Sequence, residues 1–239
     1  MARVKRPARS WFTTGRDLAR EWPQIDFQMH TRWTDGRSSV REMIAAAAAA
    51  ELSALAITEH VNARSDWYPD FVAEVKAERA AFPGLTTYFG AEIAAADYRG
   101  GLKADPRRLE AEILLGVVHR YPKRDGDGFW EFAQLSREDA IDLEISALLG
   151  LASNPHIDVL GHPGGTAFLK YGAFPVQWLE PVIAAACEHQ VALELNWKYL
   201  WDLNGLLALL ERWDPLVSLG SDAHHASEIR AVHPPPAFV

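Results

Sequence analysis

Two short strings carry metal-ligand side chains at a spacing of two, Asp26-Phe27-Gln28-Met29-His30 and Ser221-Asp222-Ala223-His224. Alternate residues of a β-strand project to the same side, so Asp26, Gln28 and His30 align, and Asp222 and His224 form a second aligned pair. Comparable types recur as Glu59-His60, Glu92, His119, His162 and the pair Glu194 and Asn196. A single histidine beyond a strand is ordinarily a structural residue, and Glu92 alone reads as a loop carboxylate. Their joint recurrence calls for a shared task. Imidazole nitrogen and carboxylate oxygen, with no cysteine among them, suit Zn, Mn or Fe, and ligand softness does not choose among these. The strings Gly161-His162-Pro163-Gly164-Gly165 and Gly220-Ser221-Asp222 put small residues where backbone must turn sharply or approach a ligand.

Such residues meet only if the elements that carry them share one edge. Apolar segments rich in branched residues predict strands over 25–29, 55–58, 86–90, 113–118, 157–160, 191–195 and 216–219. Between them lie segments of helical period. Ser39 with Glu42 is a capping box ahead of an alanine-rich helix to about 51, and Ser136 with Asp139 is a weaker version ahead of 141–151. Further helices are expected over 68–82, 177–190 and 203–213. The stretch 123–128 is a polar, glycine-rich loop, and Pro234 to Pro236 end the regular structure. Strands alternating with helices make a parallel sheet, and nearly every residue named above comes just after a strand. The C-terminal strand edge is where α/β folds assemble their sites, because loops there converge.

The bulk properties narrow the function. At 239 residues, 49% of them hydrophobic, the chain builds one sizeable core, read as a domain over 23–239 behind a basic extension over 1–22. Net charge is -8, so no global positive field draws the protein to nucleic acid or to an anionic membrane. Residues 1–16 hold Arg3, Lys5, Arg6, Arg9 and Arg16 and no acid. This reads as a solvated extension, with a targeting segment or a nucleic-acid arm as alternatives. The lone Cys187 allows no internal disulfide. No apolar run approaches the roughly 20 residues of a membrane span, so a cytoplasmic, non-membrane protein is expected. His156, His189, His225 and His233 fall outside the strand-end pattern and read as structural. Nothing in the pattern bears on oligomeric state.

The ordered strings Asp26-Phe27-Gln28-Met29-His30-Thr31, Thr34-Asp35-Gly36, Thr58-Glu59-His60, Gly90-Ala91-Glu92, Val118-His119, Gly161-His162-Pro163 and Ser221-Asp222-Ala223-His224 resemble the motif series of the PHP (polymerase and histidinol phosphatase) family. The resemblance implies a TIM-like, distorted (β/α)7 barrel in one domain and a trinuclear metal site that hydrolyses phosphate esters. It places His30, Glu92 and Asp222, with Gln28, at a first metal. Glu92, His119 and His162 hold a second, with Glu92 bridging, and Asp35, His60 and His224 hold the third. Glu92, Asp222 and His224 are thereby also catalytic candidates. The main departure is Gln28, where the family pattern has a histidine. An amide oxygen is a poorer partner than imidazole for zinc-like ions, so two or three divalent ions are expected, with two occupied positions the leading reading. Glu59 replaces an aspartate at a position that looks like support for a ligand.

The implied reaction is in-line attack on phosphorus by a hydroxide bridging two metals. Arg32 and Lys198 are the leading phosphate clamps, with Arg120 and Lys123 behind them, although each could equally be a solvated surface cation. A small phosphomonoester such as histidinol phosphate is the lead substrate, since an acidic chain offers no extended basic track for a polymer. A nuclease or phosphodiesterase acting on oligonucleotide ends is the runner-up, and Trp33, Trp67 and Trp197 are candidate stacking surfaces for it. A metal-binding accessory module without turnover is the third reading. A cyclic-amide hydrolase would want a bridging lysine at a strand end, and Lys198 comes too late in the order.

Overall fold

Seven strands are buried on both faces, as strands of a parallel sheet covered by helices must be, and this is why they read as continuous apolar runs. They are β2 (Ile25–Asp26), β3 (Ala54–His60), β4 (Thr86–Ala94), β5 (Ile113–Val117), β6 (Val159–Leu160), β7 (Ala192–Asn196) and β8 (Leu216–Gly220). Each pairs in parallel with the next, and a short β1 (Thr13–Thr14) pairs antiparallel with β8. The strand order is β1-β8-β7-β6-β5-β4-β3-β2. The Phe27 N–H donates to Leu219 O at 2.8 Å, and Met29 bridges Ala223 in parallel. These bonds draw the first and last parallel strands together, but the ladder there is not continuous. The barrel is distorted, as expected, to the point that the sheet is not closed. The computed structural model describes residues 4–18, 20–124, 126, 128–172, 174–199 and 201–230.

The helices are α1 (Gly15–Leu18), α2 (Val40–Ala49), α3 (Tyr68–Glu78), α4 (Arg137–Ser153), α5 (Gly165–Tyr171), α6 (Glu180–His189) and α7 (Leu203–Trp213). The expected box caps α2: Ser39 Oγ accepts from the Glu42 N–H while Glu42 reaches back to Ser39. Its buried residues Val40, Met43, Ile44 and Ala47 form one stripe at helical spacing, and the alanines around them let the helix lie close on the sheet. Ser136 caps α4 through the Asp139 N–H. No helix among the described residues is long and apolar enough to cross a membrane.

The N-terminal basic segment does not stand off in solvent. Ala8, Leu18 and Trp22 are buried in the core. Arg6 and Arg9 reach Asp158 at 3.0 and 3.3 Å, with the Asp158 side chain fully buried. Arg6 also donates to Ala111 O and His156 O. All of these partners precede β5 or β6, at the sheet edge opposite the strand ends that carry the candidate ligands. The nucleic-acid arm is therefore not formed by Arg6 and Arg9. Arg3, His233 and Pro234 to Pro236 lie outside the described residues.

Candidate metal centre

The parallel order brings the strand ends to one place. In register, His60 at the end of β3 sits beside Glu92 of β4. His30 follows β2, His119 follows β5, His162 follows β6, and Asp222 and His224 follow β8. Asp35 is carried by the turn after His30, where Gly36 lies against the His30 and Thr31 backbone so closely that a Cβ would strike it. His162 and Asp222 hold φ of 30° and 53°, a left-handed conformation that costs a non-glycine residue about 1 kcal/mol or more. Both are held there by their own N–H groups. His162 donates to Glu194 Oε2 at 2.7 Å and Asp222 to Gln28 O at 2.9 Å.

Glu92 is the hub. Its Oε1 lies 3.1 Å from His162 Nε2 and 3.3 Å from His119 Nε2, and its Oε2 lies 2.6 Å from His60 Nδ1 and 3.4 Å from His30 Nε2. His30 Nε2 is also 3.1 Å from Asp222 Oδ1. Asp35 spans the mouth, each oxygen 3.4 Å from a ring nitrogen, one of His60 and one of His224. Among the described residues, two groups have ligand atoms all within 4.8 Å of one another: His30, Asp35, His60 and His224, and His60, Glu92 and His119. Convergence of side chains from position 30 to position 224 is thus a property of the fold.

Electrostatics follow from this crowding. Burial opposes the charge on Glu92, yet the surrounding His119, His162 and His60 hold its carboxyl well below the usual range. Burial likewise disfavours charged imidazoles, but the Glu92 carboxylate, aided at His60 by Asp35, lifts both His60 and His162 to about 9. Asp222 is held low against its burial by His30 and His162. Both His30 ring nitrogens and Glu92 Oε2 are buried and, for all their close polar neighbours, make no well-directed hydrogen bond. Buried polar atoms are rarely left so, and nitrogen and carboxylate oxygen donors aimed at one small volume fit divalent cations.

The supporting residues explain the ligands' positions. Glu59 is buried and accepts from Thr31 N–H and Oγ at 2.9 and 2.5 Å and from the Thr34 hydroxyl, which fixes the turn bearing Asp35. This matches the supporting role expected of it. Burial pushes Glu194 up to about 8, and a Cβ on Gly220 would collide with its Oε1. Asp26, pushed up to about 6 by burial, accepts from the Ser221 N–H at 3.0 Å and so ties β2 to the loop before Asp222.

Gln28 and Arg32 take partners other than those expected of them. Gln28 is in the cluster, but its Oε1 accepts from Asn196 Nδ2 at 2.8 Å and its Nε2 donates to Glu92 Oε1 at 2.9 Å. Its amide N–H is thus turned on Glu92, and its oxygen is turned on Asn196. Arg32 turns away: its Nε donates to Arg37 O at 2.8 Å, its Nη2 is 3.4 Å from Glu42, and it does not line the central cleft. Arg120 pairs with Glu131, and Lys123 lies over Trp130. Lys198 does reach the site, 2.8 Å from Asp222 Oδ2. Trp33 stacks on Trp67 and Trp197 on Trp22, so each already has an aromatic partner within the protein. Sequence reasoning missed Lys103 and Tyr199, which line the cleft of about 370 Å³ with His60, His119, Asp222 and His224. Tyr199 had a signal, three residues beyond Asn196 on the same strand end; Lys103, on the loop after β4, had none.

Comparison with known proteins identifies the family. The family model of the PHP domain matches residues 26–197. A "probable phosphatase" of Clostridium novyi is 25% identical over 114 residues, 47% of this chain and 38% of its own length. DNA polymerase/3'-5' exonuclease PolX of Bacillus subtilis is 25% identical over 183 residues, 72% of this chain and 28% of its own. A "probable phosphatase" of Caldicellulosiruptor bescii is 23% identical over 154 residues, 61% of this chain and 56% of its own. The chain thus spans between 28% and 56% of the length of these relatives. The crystal structure of a "putative histidinol phosphatase" from Listeria monocytogenes superposes with a TM-score of 0.66 at 16% identity, covering 86% of this chain and 97% of that one, which shows the shared fold. With the family model matched over residues 26–197, most of the chain, the protein belongs to the PHP family.

Proposed function

We propose that this protein is a metal-dependent phosphoesterase that hydrolyses a small phosphomonoester. One observation carries the reading: Glu92 lies buried within 3.4 Å of the imidazoles of His30, His60, His119 and His162, at the floor of a cleft whose wall includes Lys103 and Lys198. Asp35, His60 and His224, with His30, would hold one divalent cation, and Glu92 and His119, with His162 and His60, a second. When bound, such cations make water a nucleophile at neutral pH and neutralise the phosphoryl oxygens. The protein's own groups do the rest. Glu92 and Asp222 stay ionised at working pH and keep the floor anionic. Lys198 and Lys103 supply positive charge at the wall, where a phosphate's outer oxygens would lie. The backbone constraints on His162 and Asp222 hold the ligands in place before substrate arrives.

A nuclease acting on oligonucleotide ends is the second reading, favoured by the likeness to a segment of PolX and by Lys103 and Arg120 lying over the Phe129 ring at 4.2 and 5.6 Å. The experiment that separates them presents a panel of phosphomonoesters and an end-labelled oligonucleotide to the metal-loaded protein. Release of inorganic phosphate from the small esters supports the proposal, and release of nucleotides alone transfers it to the second reading. Metal binding with no turnover of either would make the chain an accessory module.

A further inference from the structure

The His30, Glu92 and Asp222 corner of the centre is where the family resemblance implies one of three cations, beyond the two proposed above, and three residues of one turn change its chemistry. Asn196 ends β7, and Lys198 and Tyr199 come two and three residues after it. The backbone N–H of Lys198 donates to Asn196 Oδ1 at 3.0 Å. A backbone N–H can only donate, so the Asn196 amide is oriented without ambiguity and its Nδ2 must face Gln28. Gln28 Oε1 accepts that bond, and its Nε2 is therefore turned on Glu92 Oε1. Reversing Gln28 would set donor against donor and oxygen against carboxylate, and reversing Asn196 would set donor against donor and carbonyl oxygen against carbonyl oxygen. The corner thus receives an N–H group where it would need a ligand lone pair.

Asp222 is altered from the same turn. Its Oδ2 accepts from Lys198 Nζ at 2.8 Å and from Tyr199 Oη at 2.9 Å, leaving Oδ1 toward His30. Among the described residues the three corner side chains also do not form one of the groups close enough to share an ion, whereas the two groups built on Asp35 and on His119 do. We infer that the Lys198 ammonium stands in this chain where a third cation would stand, so that the centre is binuclear with a built-in organic cation. The Lys198 side chain remains about half exposed, with 47% of its surface open, so the charge faces both Asp222 and the cleft. Gln28 and Asn196 are positioning residues that hold this arrangement.

This inference rests on the metal-dependent reading, but its test does not use activity. Metal content of the protein, reconstituted with excess Mn²⁺ and freed of unbound ion, is measured by plasma mass spectrometry, and the ions are located by anomalous scattering from crystals. Two ions per chain are expected, with no peak between His30, Glu92 and Asp222. The double variant Gln28→His with Lys198→Met should gain that third peak. A third ion at that corner in the unaltered protein overturns the inference, as does a double variant that folds, keeps its two ions and gains none. An unaltered protein with two ions that hydrolyses no phosphate ester would sink the proposed function and leave the inference standing.

Discussion

Replacing Glu92 by Gln tests the electrostatic logic of the centre in its metal-free form. In the folded chain the buried His162 imidazole titrates at about 9 instead of 6.5, because Glu92 lies 3.1 Å from its Nε2. A raised pKa means that the fold binds the proton more tightly than the unfolded chain does. The associated stability is complete below about pH 6.5 and is lost as pH rises through about 9. At pH 7 it amounts to roughly 2 to 3 kcal/mol for this histidine. A neutral amide in place of the Glu92 carboxylate would remove most of it. Urea unfolding in the presence of chelator, for wild type and Glu92→Gln at pH 7 and at pH 10, gives the measurement. The variant should be less stable by about 2 kcal/mol or more at pH 7, and the gap should close toward pH 10, where the wild-type imidazoles are neutral. A gap of the same size at both values would refute the assignment of these shifts to Glu92.

Three other perturbations probe separate parts of the structure. Asp35→Asn weakens the ligand that spans His60 and His224, so bound metal should fall by one ion per chain and turnover by about 100-fold or more, read by metal analysis and phosphate release. Arg6→Ala strips one of two arginine partners from the fully buried Asp158, and the global stability seen in urea should drop by about 1.5 to 3 kcal/mol; a dispensable extension would show no change. Gly220→Ala drives a methyl group into Glu194 and frees the His162 N–H, so turnover should fall about tenfold or more while the far-ultraviolet circular dichroism stays native.

Much of this arrangement is legible in the sequence because parallel strands buried on both faces write themselves as apolar runs, and the polar residues just beyond the end of each run then mark the site. The α2 box and α7 are local matters of capping and period, and both stand where the pattern puts them. The features that escaped depend on partners far along the chain. The basic N-terminus looks solvated until Asp158, about 150 residues away, is seen to be buried beneath it. Gln28 reads as a weak ligand until Asn196, 168 residues on, fixes which way its amide faces. Arg32 comes shortly after a ligand in sequence, but its guanidinium finds a carbonyl and a carboxylate nearer than the cleft. The short α5 lies between glycines and begins at the last residue of a string that reads only as a turn.

The most direct test of the central claim tracks phosphate release from a small phosphomonoester as the purified protein is stripped with chelator and then titrated with Mn²⁺ or Zn²⁺, bound metal being measured at each step. Activity should vanish on stripping and return in proportion to ion bound by the wild type, and should not return in Glu92→Gln. Hydrolysis that persists in the fully stripped protein would contradict the account.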